Sequence, residues 1–235
     1  MINDHTQATA AAGPRRWLSG WLPSSGYHRR SRSRYATGGN RKVLRDGSQV
    51  LIRQVRSTDA PLLADGFARL SATSRWMRFL GPKPELSAAE LRYLTDIDHH
   101  DHEALGALDD VSGRGVGVAR YVRSAVDPEV AEVAVTVVDA WQGRGLGAEL
   151  VAALSERACE EGIRRFTGLA SAENGAVAGL AQSMGADVVL SEHATVMYEV
   201  PLVQADEPPG DTGAGQPAPA RSAGTVPCTA GAGPA

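Results

Sequence analysis

Residues Glu132 to Ala148 read E-V-A-V-T-V-V-D-A-W-Q-G-R-G-L-G-A. Val133, Val135 and Val137 alternate with Ala134, Thr136 and Val138, a β-branched run expected to form a well-buried strand. Gly143, Gly145 and Gly147 follow at alternate positions. Glu149, Leu150, Val151, Leu154, Glu156, Arg157 and Ala158 then fall at helical spacing. Strand, glycine turn and helix start make an anion site, because glycine admits close backbone approach and the first helical N–H groups are unpaired. A phosphate-bearing ligand is therefore expected on Gln142 to Ala148.

The spacing discriminates among phosphate ligands. A P-loop ends in Gly-Lys-Ser/Thr, and Gly145-Leu146-Gly147 has no lysine. A dinucleotide fingerprint is G-x-G-x-x-G with an acidic residue ending the next strand, where Phe166 to Ala170 offers none. The run Gln142-Gly143-Arg144-Gly145-Leu146-Gly147 instead resembles the acetyl-CoA signature Q-x-x-G-x-G of the GNAT superfamily of N-acyltransferases. The resemblance implies that Gln142, Gly143, Arg144, Gly145, Leu146, Gly147 and Ala148 anchor the pyrophosphate. It also implies that the backbone at Val137 and Val138 pairs with the pantetheine arm, a main-chain N–H facing the thioester oxygen.

Outward from this stretch, the chain divides in three. Residues 1–42 carry eight basic residues against Asp4 alone and are expected to be a disordered basic arm. Residues 43–202 form the expected domain, acidic on balance, and 203–235 a disordered tail rich in Pro, Gly and Ala. An acidic domain suits a cationic acceptor such as a lysine or a polyamine. Nucleic acid is an unlikely partner, since Tyr27 to Lys42 lacks a folded recognition motif.

No run approaches transmembrane length, so no membrane association is expected. Cys159 and Cys228 are the only cysteines, one in a predicted helix and one in the tail. That argues against a disulfide framework and for a reducing, cytoplasmic location.

Within the domain, strands are expected at Val50 to Val55, Glu103 to Leu108, Gly115 to Arg123, Val130 to Val138, Arg165 to Ala170, Val188 to Leu190 and Thr195 to Val200. Helices are expected from Ser57 to Leu70, from Ser74 to Leu80 and from the capping box Ser87-x-x-Glu90. Two more follow, one from the glycine turn to Gly162 and one from Asn174 to Gly185. This order matches the GNAT fold: mixed α/β, with a mostly antiparallel central sheet flanked by helices. The entry segment S-A-T-S-R-W-M-R-F-L, followed by L-T-D-I-D-H-H-D-H-E-A-L-G-A, resembles the branch holding bacterial Pat-type protein lysine acetyltransferases, in their catalytic domain only.

Acyl transfer needs an anchored thioester, a polarised carbonyl, a deprotonated amine and a protonated leaving thiolate. Glu132 is an acid inside an apolar strand, where many enzymes of this branch keep a glutamate. It is the expected general base, with a structural salt bridge as the alternative; Glu129 and Asp139 are weaker candidates. Asn174 is expected to touch CoA, or simply to cap its helix. The resemblance puts a tyrosine acid where this chain has Ala181, so the usual acid is missing. Ser183, Tyr121 and Tyr198 are substitutes of unknown placement.

Asp98-His99-His100-Asp101-His102 has metal-ligand residue types, but adjacent histidines in a strand diverge, and no metal is expected. His102 or Glu103 is expected near the acceptor. The implied activity is transfer of an acetyl group from acetyl-CoA to a primary amine, a protein lysine or a small amine such as a polyamine, an amino acid or an antibiotic. A catalytically weak acyl-CoA sensor is the second class of reading. A monomer or homodimer is expected.

Overall fold

The computed structural model describes residues 34–192, 194–204 and 227–228. An eight-stranded sheet runs in the order β1-β2-β3-β4-β5-β6-β8-β7. Its strands are β1 (Asn40–Val43), β2 (Gln49–Gln54), β3 (His102–Asp109), β4 (Gly115–Arg123), β5 (Val130–Val137), β6 (Arg165–Ser171), β7 (Asp187–Glu192) and β8 (Thr195–Pro201). Every pairing is antiparallel except β5 with β6. A parallel neighbour needs a crossover, and the crossover here is the helix that follows the glycine turn.

That helix, α5 (Leu146–Glu160), buries Leu146, Leu150, Val151, Leu154 and Ala158. The spacing makes one apolar stripe, which packs on Ile52, Leu105, Ala119 and Tyr121 of the sheet in a single cluster. Each fully buried leucine contributes about 1.5–3 kcal/mol. A buried ion pair stands beside the apolar contacts: Arg157 Nε of α5 donates to Glu103 Oε2 of β3 at 3.1 Å, both side chains at most 1% exposed.

Helices α2 (Ala60–Ala68), α3 (Ala72–Phe79) and α4 (Ala88–Thr95) cover the other face. Ser71 caps α3 by accepting the Ser74 N–H, and Leu80 closes it in the left-handed conformation at φ 50°. Ser87 and Glu90 form the expected capping box of α4. The sixth helix, α6 (Gly175–Ser183), lies between β6 and β7.

Ordered chain begins before Val43, where the sequence placed the start of the domain. The short helix α1 (Arg34–Thr37) presents Tyr35, which is 2% exposed and donates its hydroxyl to Glu156 Oε2 at 2.8 Å. Strand β1 then pairs with β2 from Asn40 onward. Basic, polar residues conceal this segment because β1 is an edge strand whose exposed positions need not be apolar. The rest of the expected arm, residues 1–33, and most of the expected tail lie outside the described residues; Val203–Gln204 and Pro227–Cys228 pair as two short parallel strands, β9 and β10.

Cys159 is disulfide-bonded, against the expectation that the two cysteines form no disulfide framework, and a reducing location no longer follows from it. Among the described residues no helix is long and apolar enough to cross a membrane.

Candidate active site

The decisive geometry is where β5 and β6 part. Their parallel register covers only Val130, Ala131 and Glu132, opposite Arg165, Phe166 and Thr167. On the other side β5 remains paired with β4 through Val137, and the Val138 N–H donates to the Val116 carbonyl at 3.0 Å. Backbone polar groups alternate sides along an antiparallel strand. Since Val138 bonds toward β4, Val135 and Val137 direct theirs toward β6, where no strand stands opposite them. Beyond Glu132 this edge of β5 has no strand partner, and at Val137 only the carbonyl is engaged, by Gln142 Nε2 at 3.0 Å. The N–H expected to face a ligand is thus that of Val137, because the N–H of Val138 is already engaged.

The glycine turn sits at the mouth of this gap. Gly143 and Gly145 have φ values of +75° and +89°, which side chains with a Cβ rarely adopt. Gly147 differs: its φ is ordinary, and an added Cβ would meet only Val137 Cγ2 at 3.9 Å and Leu180 Cδ2 at 4.0 Å. Its lack of a side chain keeps space open between turn and strand instead of serving the backbone. No side chain caps α5. Its first helical bond is Glu149 N–H to the Gly145 carbonyl at 3.2 Å, so the N–H groups of Leu146, Gly147 and Ala148 have no acceptor within the helix. Leu146 meanwhile plants its side chain in the core, which fixes the turn.

Polar side chains brace the loop. Gln142 Nε2 donates to the Val137 carbonyl at 3.0 Å and to Ser74 Oγ at 3.2 Å. Arg144 stacks on Trp141, donates to the Ala140 carbonyl at 2.7 Å and pairs with Asp46 at 2.9 Å. Asp139 accepts from the Ser71 N–H, Ser71 Oγ and Ser74 Oγ, pinning the start of α3 to the loop. Burial alone would raise the Asp139 pKa, but these donors hold it below its ordinary value. It is a brace, which removes it as a base. Glu129 lies at the surface beside Arg164.

Glu132 lies at the base of the gap, at the last paired position of β5. Its side chain is open to water, yet enough protein surrounds it to raise its carboxyl pKa, and the Arg78 guanidinium of α3 only partly offsets that. No carboxylate–base pair within salt-bridge distance of Glu132 occurs among the described residues. The structural salt bridge expected as its alternative is therefore absent there.

Other expected residues sit elsewhere. Tyr121 is buried in the core and donates to the His100 carbonyl at 3.0 Å, away from the gap. Ser183 donates to the Leu180 carbonyl of its own helix at 2.7 Å. Tyr198 lies on β8 opposite Gly168 of β6. Ala181 is buried. Asn174 Oδ1 accepts the Val177 N–H at 3.1 Å, the capping role.

The histidine cluster is dispersed. His99 Nδ1 meets Glu103 Oε1 at 2.7 Å, His100 Nδ1 meets Glu161 Oε2 at 2.5 Å, and His102 is buried against the Tyr93 ring. Burial pushes the His102 pKa down to about 4, so its imidazole is neutral. Glu103 is fully buried, held by His99, Gln54 and Arg157. Neither His102 nor Glu103 can reach an acceptor from solvent, contrary to expectation.

Two residues that the sequence reading passed over are Arg78 and Arg120. Both line a cavity of about 100 Å³ between α2–α4 and the sheet, which Thr136 and Val138 of β5 also line. Arg120 gave a signal like that of Glu132, a charge in the interior of an otherwise apolar strand that has its other charge, Arg123, at its end.

A mostly antiparallel sheet, with one parallel pair that parts beside an uncapped helix N-terminus, is the arrangement of the GNAT fold. Residues 49–187 match the Acetyltransferase (GNAT) domain family, and the chain belongs to it. It is 38% identical over 144 residues to Acetyltransferase PA5475 of Pseudomonas aeruginosa, a match covering 60% of this chain and 77% of that protein. It is 32% identical over 169 residues to Acetyltransferase Pat of Mycolicibacterium smegmatis, covering 72% of this chain but 49% of that protein; the chain spans about half that relative's length. Among solved structures, the GNAT domain of S. lividans PAT superposes with a TM-score of 0.65 at 31% identity, covering 69% of this chain and 96% of that one.

Proposed function

We propose that the protein transfers an acetyl group from acetyl-CoA directly to a primary amine, with a protein lysine side chain as the acceptor. The observation that carries this reading is the juxtaposition of the uncapped α5 N-terminus, the unpaired β5 edge at Val135 and Val137, and Glu132 at the base of the same gap. The site fits the co-substrate on its own geometry. Gly143 and Gly145 make a concave turn, the N–H groups of Leu146, Gly147 and Ala148 provide the anion site, and the gap admits an extended pantetheine arm. Gln142, Arg144 and Val138 shape this cradle, and CoA contact by Asn174, the N-cap of α6, belongs to the same proposal. No metal takes part in this scheme.

The step balances simply. Glu132 accepts a proton from the acceptor ammonium, and the neutral nitrogen attacks the thioester carbonyl. The N–C bond forms, the oxyanion is met by the Val137 N–H, the C–S bond breaks as the carbonyl re-forms, and the nitrogen gives its second proton to solvent to leave the neutral amide. With Ala181 where a tyrosine acid would stand, solvent protonates the thiolate, a good leaving group near neutral pH. The raised Glu132 pKa makes it a stronger base than an ordinary carboxylate.

A thiol-release assay tests this with acetyl-CoA against lysine-containing peptides and small amines. Release that depends on the peptide, with acetyl-lysine seen by mass spectrometry, is the expected result. Release with small amines alone would move the acceptor to that class. Tight acetyl-CoA binding with no release toward any amine would leave only a sensor.

A further inference from the structure

The cavity beneath α2–α4 has an unusual charge balance. Four charged side chains line it: Arg53, Asp59, Arg78 and Arg120. Arg53 and Asp59 neutralise one another through two bonds of 2.6 and 2.9 Å. Arg78 and Arg120 remain. Arg120 is 7% exposed, and its hydrogen bond goes to a neutral acceptor, the Leu94 carbonyl at 2.9 Å. Neither arginine has a carboxylate within salt-bridge distance among the described residues. Burial and the neighbouring Arg78 charge together push the Arg120 pKa down to about 9, and Arg78 is depressed mainly by burial. Arg78 meets the Phe79 ring, Arg120 the Tyr93 ring, and the Glu132 charge acts on Arg78; two like charges in one cavity without a carboxylate at contact distance still cost stability unless something further compensates them.

The rest of the lining says where the compensation comes from. Leu62, Leu63, Phe67 and Leu94 form apolar walls, and Thr136 and Val138 bring the cavity to the reacting end of β5. Arg78 connects it electrostatically to Glu132. A volume of about 100 Å³ admits a short substituent, not a folded segment. Guanidiniums match carboxylates in plane and spacing, which distinguishes this site from a general cation patch.

Resting on the acyl-CoA-dependent N-acyltransferase part of the reading above, and revising either its acetyl donor or its lysine acceptor, we propose that this cavity receives a carboxylate carried by one of the two reactants, bound between the Arg78 and Arg120 guanidiniums. The carboxylate has two possible sources. It belongs either to a dicarboxylic acyl group on CoA or to an amine acceptor that also bears an acid.

Two arms of one kinetic experiment separate the sources. The acyl arm compares succinyl-CoA with butyryl-CoA on a neutral amine. The acceptor arm compares 4-aminobutyrate with butylamine under acetyl-CoA. In one arm the carboxylate reagent should exceed its neutral counterpart in kcat/KM by about 10–100-fold, the range of a charge-assisted hydrogen bond. Arg78→Gln and Arg120→Gln should each collapse that ratio. Arg120→Lys, which keeps the charge and loses the planar fork, should reduce it in part, provided melting curves show each variant folded.

Ratios near one in both arms, with acetyl transfer to other amines intact, would overturn the proposal and leave the transferase reading standing. A large ratio that survives both arginine variants would also overturn it. If no amine releases CoA at all, the transferase reading fails, and binding decides. Calorimetry would then have to show succinyl-CoA or 4-aminobutyrate held more tightly than its neutral counterpart, with the difference lost in Arg120→Gln; equal affinities would end the proposal.

Discussion

The side-chain amide of Gln142 reaches back to the carbonyl of Val137, 3.0 Å away, and so ties the glycine turn to the strand edge it must serve. The loop is therefore held at a fixed place relative to the edge. Gln142→Ala should leave the fold intact and weaken acetyl-CoA binding by about 2–10-fold, the equivalent of one net hydrogen bond. Calorimetry on the folded variant measures this directly. An unchanged affinity would mean that the turn is held without Gln142.

Gly145 and Gly147 should fail in different ways. Gly145→Ala forces a left-handed φ on a residue with a Cβ and costs about 1–2 kcal/mol of stability. Gly147→Ala has ordinary φ and free space, so its melting temperature should match the wild type. Larger residues at 147 should fill the approach between turn and strand, and Gly147→Val should lose acetyl-CoA affinity with little loss of stability. A Gly147→Val protein that is folded and binds normally would place the ligand elsewhere.

Glu132 carries a test with a pH sign. As a base it must be ionised, so kcat/KM should rise with pH through a carboxyl pKa lying above the ordinary range. Glu132→Gln should remove that limb and lower turnover by about 10²–10⁴-fold while acetyl-CoA still binds. Its folded pKa is raised, so its contribution to stability is greatest at low pH and is lost as pH rises through that pKa. The glutamine variant should therefore be no less stable than wild type at neutral pH. A folded Glu132→Gln enzyme with full activity would eliminate it as the base.

Glu103 should behave in the opposite sense. Burial alone would raise its pKa, but His99, Gln54 and Arg157 together hold it below the ordinary value. Its stabilising contribution is present above the unfolded carboxyl pKa and is lost as pH falls through the folded one. Arg157→Met strands this buried carboxylate and should cost about 3–5 kcal/mol at neutral pH. Urea melts at neutral and acidic pH should show the penalty shrinking as Glu103 protonates.

Tyr35 tests whether residues before Val43 belong to the fold. Tyr35→Ala removes a buried ring and its bond to Glu156, and should cost about 3–5 kcal/mol by analogy with other large aromatic truncations. Burial, reinforced by Glu156, pushes its phenol up to about 12, so it stays neutral in any practical buffer. A melting temperature equal to wild type would show that α1 contributes nothing.

Local chemistry was enough for the framework. Alternating valines before three glycines and an amphipathic run specify strand, turn and helix from Glu132 to Glu160, because those preferences act over a few residues. The capping box at Ser87 and Glu90 was equally plain, and Glu132 announced itself as a lone acid in an apolar strand. Tertiary structure alone decided the rest. Which of Val137 and Val138 turns its N–H to the gap depends on pairing with Val116 and Gly117, some twenty residues away. Asp139 became a brace because α3 brings Ser71 and Ser74 to it, and Glu103 was buried because α5 brings Arg157. Arg78 and Arg120, 42 positions apart, share one cavity only because α3 packs on β5, the neighbour of β4 in the sheet. Residue type and spacing encode what a segment can form; burial, and hence charge state and reach, is set by whichever distant segment packs against it.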